Sequence, residues 1–100
     1  MNAAVDRFVA RVGHWEPARW ARSAPAGGSR ADAVHALVQA LADLACAAEN
    51  RPPRPVPRLA NDLALPDQVR VMVADLILAG APAAALVDAA DRIDATTRLL

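Results

Sequence analysis

Residues 51–58 read Arg-Pro-Pro-Arg-Pro-Val-Pro-Arg, with four prolines and three arginines in eight positions. Proline fixes its own φ and has no N–H to donate. It also pushes the residue before it into extended geometry. The segment therefore continues no helix and takes no central place in a sheet, and it splits an otherwise helix-forming chain in two. At about 3 Å per residue, an extended stretch of this length crosses one face of a small helical domain. A stiff strap between two helical pairs is the expected role. Pro52-Pro53-Arg54-Pro55 also offers one Pro-x-x-Pro to an aromatic-grooved reader, which is the alternative use.

The flanking sequence carries the 3.6-residue period of helices. Val5, Phe8, Val9 and Val12 share one face of a first helix over 3–12, with Asn2 placed to cap it and Gly13 to stop it. Pro17 suits a first helical position, so 17–22 is expected to make a short helical turn. Ser29 and Asp32 have capping-box spacing ahead of a helix over 30–49, whose stripe is Val34, Leu37, Val38, Leu41, Leu44, Ala45 and Ala48. A helix over 66–79 opens at Pro66 and is apolar on nearly all sides, the pattern of a central or interface helix. Gly80-Ala81-Pro82 then connects directly to a last helix over 82–99. The fold class expected is all-α: one small four-helix, bundle-like domain of 100 residues, with a Pro/Arg-rich extended strap between its second and third helices.

Composition sets the energetics. The chain is 55% hydrophobic, but much of that is alanine, and only 3% is aromatic. Burial contributes about 25 cal/mol per Å² of apolar surface, so small side chains make a thin core. A partner chain would offset that, and a homo-oligomer, most simply a dimer, is expected.

Net charge is zero and the pI is near 6.7, so no overall field favours nucleic acid or a membrane surface. The charges are unevenly placed. Before Asn61 there are eight arginines against five acids, and from Asn61 onwards three against six. Every basic residue is arginine, which together with the abundant Ala, Val, Pro and Asp suggests a GC-rich, bacterial genome. A single cysteine, Cys46, forms no internal disulfide and fits a reducing cytoplasm. Uninterrupted apolar runs fall short of the ~20 residues of a membrane span, and no signal segment opens the chain.

Chemistry-bearing residues are sparse. His14, His35 and Cys46 cannot supply a four-ligand zinc set. His35 and Cys46 stand eleven positions apart on one helix, about 16 Å, too far for a base and its nucleophile. Asp88, Asp91 and Asp94 make an acidic ridge that reads as a solvated face. The helix after Pro82 starts with alanines and acids, which phosphates repel, so a DNA-reading helix is not expected there. No catalytic, cofactor or metal site is expected.

What remains is a set of candidate interaction residues. Trp15 and Trp20 flank a turn that also carries Arg19 and Arg22, and Trp and Arg are the residue types of binding hot spots. The same indoles could instead fill the space between the first helix and the rest. Arg54 stands in the proline segment, and Met72 and Ile77 on the all-round apolar helix. The function expected is a non-catalytic protein–protein interaction or regulatory module that self-associates or meets an unidentified protein partner. The competing expectation is a small-molecule-binding helical protein, or enzyme subunit, with a pocket near Trp15 and Trp20.

Overall fold

The computed structural model describes the chain from Met1 to Leu100. It contains α1 (Asn2–Val12), α2 (Pro17–Trp20), α3 (Arg30–Ala48), α4 (Leu65–Leu78) and α5 (Ala83–Leu99), with one 3-10 turn at Asp62–Ala64 and no strand. The all-α expectation is met.

The helix ends follow local chemistry. The Ser29 hydroxyl accepts from Asp32 N–H, and the Asp32 carboxylate accepts from Ser29 N–H, so the expected capping box is in place. At the other end of α3, Asn50 takes a left-handed φ of 56°. Arg51 N–H then reaches the Cys46 carbonyl, and Asn50 N–H the Ala47 carbonyl, which is the Schellman arrangement with asparagine in the glycine position. Gly80, at φ 70°, closes α4 in the same way, through Ala81 N–H to Leu76 and Gly80 N–H to Ile77.

Two terminal details, at Asn2 and Pro82, differ from expectation, and Gly13 stops α1 as expected. Asn2 lies inside α1 and caps nothing, because the bond from Val5 N–H to the Met1 carbonyl starts the helix one residue earlier. Gly13 stops α1 without a positive φ. A Cβ there would sit 2.7 Å from the Val9 carbonyl oxygen, so the glycine serves close approach. Pro82 is the extended residue before α5 rather than its first helical one.

Helix α3 packs along α4 and α1 along α5, while α3–α5, α1–α4 and α4–α5 contacts close the arrangement and α2 leans on α3 and the 3-10 turn. Phe8, Val12, Trp20, Val34, Val38, Leu41, Leu65, Val69, Leu76 and Ile93 are fully buried. Ala4, Ala31 and Ala89 are buried among them, and their small side chains let the backbones approach. The thin core does not leave the molecule loose. Its Cα radius of gyration is 13.0 Å, the about 13 Å of a compact domain of this length. By length and mean hydropathy α3 qualifies as a membrane span. Leucine, valine and alanine together supply that hydropathy without making an uninterrupted apolar run, and the buried side of α3 lies against α4 and α5.

Residues 51–59 have no regular secondary structure, as four prolines require. Their backbone is held by side chains of α3. Gln39 Oε1 accepts from Val56 N–H at 2.7 Å, and Gln39 Nε2 donates to the Arg54 carbonyl at 2.9 Å. One amide thus satisfies a donor and an acceptor two residues apart, as a neighbouring strand would. His35 Nε2 donates to the Val56 carbonyl at 3.1 Å. Gln39→Ala strands the half-buried Val56 N–H, and an unmet group of this kind costs about 1–3 kcal/mol. The variant is expected to lose stability on that scale in urea and to be cut faster by protease within 51–59. Unchanged cleavage would show that the clamp does not hold the segment.

Arg58 closes the segment by bonding Asp32 at 2.7 Å and Asp62 at 3.1 Å. The Ser29 backbone N–H, then the Arg58 guanidinium and the Ser29 hydroxyl, hold the Asp32 carboxyl down at about 2. Because the folded value is depressed, the stabilisation is complete above the ordinary carboxylate value of about 4. It is lost as the pH falls from there towards 2. Urea midpoints of the wild type and Asp32→Asn are expected to differ at neutral pH and to converge in that acidic window. A difference that persists unchanged to the lowest pH would assign the stability elsewhere.

Candidate functional site

Two surfaces bring the candidate residues together. The first is the corner built by the α1–α2 turn and the loop into α3. Trp15 and Trp20 meet edge to face with centroids 5.0 Å apart, and both are buried, at 4% and 1% exposure. As exposed anchors they are corrected: each indole fills the space between α1, α2 and α3. Arginines reach solvent around them. The Arg19 and Arg30 guanidinium carbons each lie 5.1 Å from the Trp15 ring centroid, within cation–π range.

The loop between α2 and α3 sets this spacing. Ser23 and Ser29 form an isolated bridge, Arg30 N–H donates to the Arg22 carbonyl at 2.8 Å, and Ala24 N–H donates to Gly28. Gly27 and Gly28 turn the chain with φ of 97° and 69°. Arg22 and Arg30 are therefore neighbours through the backbone although eight residues apart. A recess of about 360 Å³ opens here, walled by His14, Trp15, Glu16, Ala18, Arg19 and Arg22. Arg30 was not legible as a member of this corner, because its place depends on the loop closing.

The second surface is the outer side of α4. Leu65, Val69, Val73 and Leu76 face the core, and Val71, Ile77 and Leu78 face outwards at 53%, 53% and 84% exposure. Ala74 is exposed between them. Of the candidates on this helix, Ile77 belongs to the outer face, whereas Met72 is half-buried and packs against the core. Val71 and Leu78 were missed as named residues. Their spacing of seven, two helical turns, is the signal that aligns them. A recess of about 240 Å³ runs beside the ridge towards α1, and one of about 400 Å³ towards α3, where Cys46, Met72 and Leu78 meet. Arg54 stands apart from both surfaces, exposed on the proline segment.

Several of the remaining polar side chains are engaged in structure. His35 serves the Val56 carbonyl. Asp94 pairs with Arg7 at 2.8 Å, which draws its carboxyl below the usual range, and Asp88 pairs with Arg92. Two of the three ridge carboxylates are thus paired with arginines, and Asp91 between them is exposed. No group of three or more His, Cys, Asp or Glu side chains is placed to hold a metal ion.

No protein-family model, characterised protein or solved structure matches the chain.

Proposed function

We propose that the chain is a non-catalytic helical interaction module that pairs with a second copy of itself through the outer face of α4. In this reading α1, α3, α4 and α5 make a four-helix bundle, and residues 51–58 are the Pro/Arg strap that fixes how α3 and α4 lie together. A reducing cytoplasm suits its single cysteine.

The observation that carries the proposal is the outward stripe of Val71, Ile77 and Leu78 on a helix already buried on its other side. A large apolar patch on a small protein marks a contact surface. The stripe is also self-complementary. Val71 and Ile77 stand three residues either side of Ala74, so an antiparallel copy related by a two-fold axis at Ala74 sets each against the other. Isologous interfaces need this property, and a small residue at the crossing lets the two backbones come close. Zero net charge puts no overall repulsion between copies. A standard interface covers about 800 Å² per partner, roughly a seventh of the 5673 Å² surface. The ridge and its two flanking recesses would be covered together.

Light scattering on the purified protein tests the pairing. A mass near twice 10.5 kDa at high micromolar concentration is the expected result, and a clean monomer there overturns it.

A further inference from the structure

The corner around Trp15 carries a different activity from the α4 face. We propose that it binds a small oxyanion, a phosphate or carboxylate group, held by Arg19 and Arg22 in the recess beside Trp15, with His14 as a further donor.

The first ground is that three arginines without a carboxylate partner are gathered in one corner. Arg7, Arg51, Arg58, Arg70 and Arg92 each bond a carboxylate. Arg19, Arg22 and Arg30 bond none, as is true of Arg11, Arg54 and Arg98 elsewhere, but Arg19 and Arg22 wall one recess while Arg19 and Arg30 lie over the Trp15 indole. Arg19 and Arg30 each sit 5.1 Å from the same ring centroid, so the two charges are no further apart than twice that. The concentration of positive charge in one corner favours an anion there.

The second ground is pre-organisation. A guanidinium held over an indole by cation–π attraction spends no N–H donor on that contact, so its donors stay free for a bidentate oxyanion. The contact fixes the side chain before the ligand arrives, which lowers the ordering cost of binding. The third ground is the indole itself: Trp15 Nε1 is buried without a hydrogen-bond partner, although buried donors are nearly always satisfied. The corner therefore holds donors in excess and invites an acceptor. At about 360 Å³ the recess is within the range of small-molecule sites, about 300–1,000 Å³.

Glu16 is the one acid on the recess wall, and it pairs with neither arginine. It opposes an anion, and this gives the site an unusual signature: removing Glu16 tightens binding, while removing an arginine weakens it.

The experiment is a titration of the full chain with inorganic phosphate at constant ionic strength, balanced with chloride. It is read by tryptophan emission and by the NMR shift of the Trp15 indole N–H. Saturable shifts are expected. Arg19→Gln with Arg22→Gln should weaken binding at least about tenfold, the loss of one charge-assisted hydrogen bond, and Glu16→Gln should tighten it about threefold. Arg22→Gln alone, which is not stacked on the indole, keeps the test readable if Arg19→Gln loosens the corner. Acetate replaces phosphate in a second arm, and saturation by either anion supports the site. Equal shifts from chloride, unchanged binding in the arginine variants, or retention on heparin with no response to either small anion would each overturn it.

Discussion

Trp20→Ala is expected to cost about 3–5 kcal/mol, the range for truncating a buried large aromatic. That is a large part of the 5–15 kcal/mol that holds a typical domain folded. Trp20 is 1% exposed and the bulkiest fully buried side chain in the molecule. The core has few large residues to redistribute, since Phe8 and Trp15 are the only other aromatics. The four-residue α2 that carries Trp20 makes its contacts to α3 and to the 3-10 turn, and the indole is its only buried side chain. Removing it frees α2, deprives Trp15 of its edge-to-face partner, and opens the α1 end of the core. A domain of this size loses about 4–8 °C of melting temperature per kcal/mol, so a drop of well over 10 °C should be seen by circular dichroism. Trp15 remains as a fluorescent reporter in the variant. A loss below 1 kcal/mol would mean that the corner is not part of the cooperative core.

Much of this architecture is written locally. Ser29 with Asp32, the Pro17 turn and Gly80 before Pro82 each place a boundary from short-range chemistry alone. The apolar stripes named Phe8, Val12, Val34 and Leu41 as inward residues without any knowledge of packing. What escaped depends on contacts between distant residues. Gln39 shows no periodic or motif signal, yet it fastens residues 54 and 56 because the proline segment runs back across α3. Asn2 looked like a cap because asparagine favours that role, and the Met1 carbonyl took the first turn instead.

The candidate sites divide in the same way. That α4 is apolar on nearly all sides was legible, but which side stays uncovered is decided by where α1, α3 and α5 sit. The tryptophans were ambiguous between core and surface, since composition alone gives an indole the same value in either place. The opposite charges of the two halves meet in one direct pair between distant helices, Arg7 with Asp94, tying α1 to α5. They leave the arginines of the Trp15 corner without carboxylates, a local surplus that a net charge of zero conceals.

The α4 face gives the second large effect. Val71→Asp with Leu78→Asp is expected to convert the proposed dimer to a folded monomer. Both side chains are more than half exposed in the single chain, and surface changes of this kind usually move stability by less than about 0.5 kcal/mol. Circular dichroism and melting temperature should therefore stay close to wild type. In the proposed dimer the same positions would lie at the two-fold contact, where four added carboxylates outnumber the two Arg70 guanidinium groups, each already paired with Asp67. Burying an unpaired charge costs several kcal/mol, and each 1.4 kcal/mol is tenfold in dissociation constant. A shift of at least about a hundredfold follows, enough to leave only monomer at micromolar concentration. Val73→Asp supplies the contrast. Val73 faces the core at 5% exposure, so its replacement should unfold the chain rather than separate two folded copies. Ile77→Asp, on the outer face, should behave as the double variant does, more weakly. If Val71→Asp with Leu78→Asp remains a dimer while folded, the copies meet through another surface. If it unfolds as Val73→Asp does, the outer side of α4 belongs to the fold of the single chain and not to an interface.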